Sequence, residues 1–148
     1  MKKAMAIALA VLVSCVVGLF FLVHSGLGRK LMMSSAKKGR AHTIRALLAF
    51  GCDVKARDSQ GGTALFYAAA NGRKDIVQSL LNAGADANAM DNSGSTALCH
   101  ALDTSQANTP LVQLLIESGA LREQPKSGNP LMCIEHSASS EAYIDLLV

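Results

Sequence analysis

The chain has 148 residues, 14 of them basic and 11 acidic, for a formal net charge of +3. It has no Trp and is only 4% aromatic, which leaves little ring surface for stacking bases. Eight basic and no acidic residues precede Asp53, while eleven acidic and six basic residues follow from there, and so acidic a distal part suits phosphate backbones poorly: no nucleic acid is expected as a partner.

Residues 1–3 are a short basic tail, and residues 4–23 are an uninterrupted apolar run. Twenty residues of helix rise about 30 Å, enough to cross a bilayer. The apolar core of a secretory signal is shorter, about 7–15 residues. The expectation is a retained single-pass membrane anchor. Two other readings stand beside it. Small residues at Val23-His24-Ser25 would allow cleavage and export. Leu12-Val13-Ser14-Cys15 resembles a bacterial lipoprotein cleavage box, which makes Cys15 a candidate for lipidation, although the apolar run continues past it. Orientation is contested. Lys2 and Lys3 hold the N-terminus in the cytoplasm, whereas Arg29, Lys30, Lys37, Lys38 and Arg40 would hold the other side there. The Lys-Lys start looks like an export signal, so the domain is expected outside the cytoplasm, with a cytoplasmic domain as the alternative.

From residue 25 onward the chain is periodic. Asp58-Ser59-Gln60-Gly61-Gly62-Thr63-Ala64-Leu65 returns 33 residues later as Asp91-Asn92-Ser93-Gly94-Ser95-Thr96-Ala97-Leu98. Gly51-Cys52-Asp53 returns at the same interval as Gly84-Ala85-Asp86. That period, with this turn chemistry, is a helical-repeat signature. In the unit at 58–90, Gly61 and Gly62 suit a tight turn at positive φ. Thr63 is expected to cap the helix that follows. Residues 64–70 are small and apolar, and Asn71-Gly72 breaks that helix. Ile76, Val77, Leu80 and Leu81 place an apolar stripe on the next helix, and Gly84 stops it. Val77 and its counterpart Val112 are 35 residues apart, so two residues are inserted within 103–109. Thr109-Pro110 then reads as an N-cap followed by proline at the first helical position.

These residues resemble the ankyrin family. The unit at 58–90 carries Asp58, Gly61, Thr63, Ala64, Leu65, Ala68, Asn71, Gly72, Ile76, Val77, Leu80, Leu81, Gly84, Ala85 and Asp86 in the family's order. It departs from the family at Ala64, where proline is usual, and at Phe66, where histidine is usual; the next unit has Cys99 at that position. The unit at 91–120 fits well; those at 25–57 and 121–148 fit in part. The resemblance implies an all-α ankyrin-repeat solenoid of three to four helix-turn-helix repeats over 25–148. It also implies a non-catalytic module that binds another protein on a concave face made of turn tips and inner helices. The tips would be Arg57, Ser59, Gln60, Met90, Asn92 and Ser93. The inner-helix positions would be Lys37, Lys38, Ala70, Asn71, Asp103 and Thr104. Leu146, Leu147 and Val148 would leave an apolar edge, either self-covered or used for homo-oligomerisation.

Signs of chemistry in the sequence are weak. Cys52, Cys99 and Cys133 read as small buried hydrophobes, with a Cys99–Cys133 disulfide as the less favoured alternative. Cys133-x-x-His136 lacks enough converging partners for a metal site, so neither metal nor cofactor is expected. Ser34-Ser35-Ala36-Lys37 matches Ser-x-x-Lys but has no companion motif. The expected function is protein capture by a tethered or exported module, such as neutralisation of a partner toxin. A structural, assembly or protective role for an envelope enzyme is the alternative, and catalysis comes last.

Overall fold

The computed structural model describes residues 17, 18, 21, 26–102 and 109–120. Six helices lie wholly within the described residues and form three hairpins: α1 (Gly26–Lys38) with α2 (Ala41–Ala49), α3 (Ala64–Ala70) with α4 (Lys74–Asn82), and α5 (Ala97–Leu102) with α6 (Thr109–Glu117). The first helix of each hairpin packs on the first helix of the next, and the second on the second. The result is an inner layer of α1, α3 and α5 and an outer layer of α2, α4 and α6.

One set of backbone bonds recurs at the ends of α1, α2, α3, α4 and α6. Gly39, Gly72, Gly51, Gly84 and Gly119 all take positive φ, between 64° and 91°. Behind them the chain closes six-residue loops: Arg40 N–H to Ser35 O and Arg73 N–H to Ala68 O (both 2.9 Å), then Cys52 to Leu47, Ala85 to Leu80 and Ala120 to Leu115 (all 3.0 Å). These are Schellman closures, which need a residue free to enter the left-handed region. The partly matched first unit thus closes as the others do.

The core runs unbroken between the layers. Ala36, Ile44, Ala68, Ala69, Ile76, Val77, Leu80, Ala97 and Leu115 are fully buried within it. Alanines on the inner helices let the outer helices approach, and the aliphatic stripes of α2, α4 and α6 fill the seam.

Three local expectations are corrected. Gly61 takes positive φ at +75°, but Gly62 does not. Gly62 is small because a Cβ there would stand 3.3 Å from the Tyr67 hydroxyl. Thr63 does not cap α3: its buried hydroxyl has no hydrogen-bond partner. Its counterpart Thr96 does accept the Cys99 amide, at 3.4 Å. Finally, Cys99 is disulfide-bonded, while Cys52 is a buried thiol. Burial, helped by the charge of Asp53, pushes the Cys52 thiol above its ordinary value.

Among the described residues, no helix is long and apolar enough to cross a membrane. The run at 4–23, apart from Val17, Gly18 and Phe21, lies outside them, as do Cys15, the insertion at 103–108 and the unit at 121–148.

Candidate functional site

The period lines up chemistry along the inner helices. Asp58 and Asp91 each open a turn. Asp58 Oδ1 accepts the amides of Gln60 and Gly62, both at 2.9 Å, and Asp91 Oδ1 accepts those of Ser93 (2.8 Å) and Ser95 (3.0 Å). Each carboxylate turns its other oxygen to the residue nine places on. The Tyr67 hydroxyl donates to Asp58 Oδ2, and His100 Nε2 lies 3.0 Å from Asp91 Oδ2. From the preceding hairpin, Lys37 Nζ sits 3.9 Å from the centre of the Tyr67 ring.

This arrangement fixes charge. Burial would raise the Asp58 carboxyl, but the Tyr67 hydroxyl, the Gln60 and Gly62 amides and the charge of Lys37 outweigh it and hold it below its ordinary value. Asp91 is lowered in the same way: burial opposes ionisation, and the bonds from Ser93, Ser95 and His100 prevail. The Tyr67 hydroxyl is pushed up to about 12, first because its proton is shared with Asp58, then by burial and by the charges of Asp58 and Asp91. The face therefore carries two ionised carboxylates and a neutral phenol at physiological pH. Between them lies a cavity of about 200 Å³, lined by Gln60, Gly62, Phe66, Tyr67, Ala70, Asp91 and His100.

The tips are stitched to each other across successive repeats. Asn92 N–H donates to Gln60 O at 3.0 Å, and Asn92 Nδ2 donates to Ser59 O at 3.1 Å. Arg57 Nη1 donates to Met90 O. Ser93 Oγ donates to Asp91 Oδ1 at 2.6 Å, and Asn71 Nδ2 to Tyr67 O at 2.7 Å. Of the residues the sequence assigned to recognition, Lys37, Lys38, Arg57, Ser59, Gln60, Asn71, Asn92 and Ser93 are exposed, and Ala70 and Met90 are half-buried. Gln60 and Ala70 meet at the cavity, and Lys37 reaches its neighbour Tyr67. Arg57 and Asn92 have polar groups engaged in holding the tips together. Asp103 and Thr104 lie outside the described residues. Sequence reasoning missed Asp58, Phe66, Tyr67, Asp91 and His100 as members of this face. A signal was present: both units place a ring with a polar atom nine residues after the aspartate. Among the described residues, no group of three or more His, Cys, Asp or Glu side chains could hold a metal ion.

A family model described as ankyrin repeats in three copies matches residues 7–91, more than half of the chain. The chain belongs to the ankyrin repeat family. The ankyrin match begins inside the apolar run and ends at Asp91. The hairpin of α5 and α6 lies beyond it, yet repeats the same turn bonds and, at α6, the same helix-end closure. Ankyrin repeats mark a protein–protein interaction module, and the family is generally non-catalytic. A comparison with curated proteins finds no match.

Proposed function

We propose that this ankyrin protein is tethered to a membrane through residues 4–23 and captures a protein partner on its concave face, without chemistry of its own. The observation that carries the reading is the character of the inner-helix face. It joins exposed polar side chains, fixed carboxylates and an open cavity, whereas the seam behind it is closed by packing. Pre-ordered turns and helices offer such a surface at little entropic cost on binding. Tethering is supported by Val17 and Phe21, which are 60% and 78% exposed, and by Leu27 and Leu31 following them at the edge of the stack. Apolar surface of this kind is better accommodated in a bilayer than in water. The disulfide at Cys99 fits a domain outside the cytoplasm, since disulfides persist in oxidising compartments.

In this setting, capture would neutralise a secreted toxic partner, and a toxin gene beside this one would favour that form. A stable stoichiometric complex with an endogenous envelope enzyme would instead mark an assembly or protective factor. The test is affinity capture from membranes of the native cell with the full chain. Lys38→Glu and Asn71→Arg are expected to lose the partner. Gln78→Arg, on exposed outer helix α4, is expected to keep it. Loss with Gln78→Arg alone would place recognition on the opposite layer and refute the proposal.

A further inference from the structure

Lys37 and Ala70 occupy the same register position, 33 residues apart, as do Tyr67 and His100, and Asp58 and Asp91. At the first step of the stack, this position supplies a cation to a ring: Lys37 Nζ lies 3.9 Å from the centre of Tyr67, whose hydroxyl is held by Asp58. At the second step the ring is His100, held by Asp91 at 3.0 Å, and the residue in the place of Lys37 is Ala70. Alanine ends at Cβ, so no ammonium of the chain reaches the ring from there. The space left is the cavity of about 200 Å³, bounded by Ala70, Phe66, Tyr67, His100 and Asp91. Phe66 adds a second aromatic wall, with its ring centre 5.4 Å from that of His100 and the planes at 38°.

We propose that this seat receives a lysine or arginine side chain of the partner protein, with its stem against Ala70 and Phe66 and its charge over His100 beside Asp91. The inference rests on the concave-face reading above. A cation gains over an aromatic face when desolvated, as Lys37 does on Tyr67 at the preceding step, and here Phe66 and Tyr67 line the cavity beside Asp91. Charge complementarity points the same way. Asp91 is ionised and only 14% exposed, so its field is poorly screened, and from Asp53 onward acidic residues outnumber basic ones eleven to six. Lys37, on the preceding inner helix, is already paired with Tyr67 and close to Asp58. The volume suits one long side chain and not a backbone segment, so the seat would anchor a single residue of a longer contact.

The test uses the full chain in non-ionic detergent, with histidine labelled at its ring carbon, and follows the His100 resonance. N-acetyl-arginine amide and N-acetyl-lysine amide are expected to shift it saturably, while the leucine and aspartate amides at equal concentration leave it in place. Ala70→Lys supplies the missing ammonium from the chain itself. It is expected to move the His100 resonance in the free protein, to weaken both basic probes at least tenfold, and to leave the melting midpoint undiminished. Equal shifts from the leucine amide, or undiminished affinity in Ala70→Lys, would overturn the proposal, as would silence toward all four probes. Partner capture separates the two readings. Retention by Ala70→Lys with loss by Lys38→Glu would overturn the seat and leave the concave face standing. Retention by both would overturn the concave face itself.

Discussion

Gly61→Ala tests whether the turn tips act as one stitched edge. Gly61 sits at φ +75°, where an L side chain is strained, and an added Cβ would stand 2.5 Å from Asn92 Oδ1 and 2.9 Å from the Asn92 backbone nitrogen. The strain alone costs about 1–2 kcal/mol. The backbone contact cannot be relieved by rotating a side chain, so the two tips must part. That breaks Asn92 N–H to Gln60 O and Asn92 Nδ2 to Ser59 O, each worth about 1 kcal/mol. The expected loss is about 3–4 kcal/mol in all. Gly84→Ala is the control: its φ is +87°, but no described atom lies within 4 Å of the added Cβ, so only the strain of about 1–2 kcal/mol applies. The assay is urea unfolding of the full chain in mild detergent, followed by far-UV circular dichroism. Equal losses in the two variants would refute the stitched edge.

Other outcomes follow from the same geometry. Thr63→Val is expected to stabilise by about 1 kcal/mol, because it removes a buried hydroxyl without a partner, whereas Thr96→Val is expected to destabilise; opposite signs in the unfolding curves check this. Leu80→Asp and Leu115→Asp each put a charge where the native side chain is fully buried, and should cost at least about 3–5 kcal/mol in the same assay; losses below 1 kcal/mol would mean the core is misassigned. The folded Asp58 and Asp91 carboxyls lie below their unfolded values, so their contribution is present above the ordinary carboxylate range and is lost as pH falls through the folded values. Tyr67 is raised, so its contribution is present below its ordinary value and is lost as pH rises from there to about 12. Unfolding midpoints measured across pH should show both declines, and Tyr67→Phe should remove the alkaline one.

The fold was legible because the 33-residue period repeats residues that the backbone requires. Gly51, Gly84 and Gly119 must enter positive φ, and the stripe of Ile76, Val77 and Leu80 must face a seam. The first repeat was harder to read. Its closure needs only Gly39 and small buried residues such as Ser35 and Ala36, which leave most side chains unconstrained. The proposed recognition face was legible as positions and not as contacts. Lys37 was placed on it, but its seating on Tyr67 depends on how far apart the inner helices sit, which no motif states. Thr63 shows the limit most clearly. It and Thr96 occupy one register position, yet only Thr96 finds a partner, in the amide and the sulfur of Cys99.

The central claim is that a protein is held on the inner-helix face. Site-specific photocrosslinking in the native cell addresses it most directly, with the reactive group placed at Gln60 or Lys38 on that face, or at Gln78 on outer helix α4. All three positions are exposed, so the reporter itself costs little. The account predicts one discrete adduct of the same mass from Gln60 and Lys38 and none from Gln78. Adducts from Gln78 with none from the other two would contradict it.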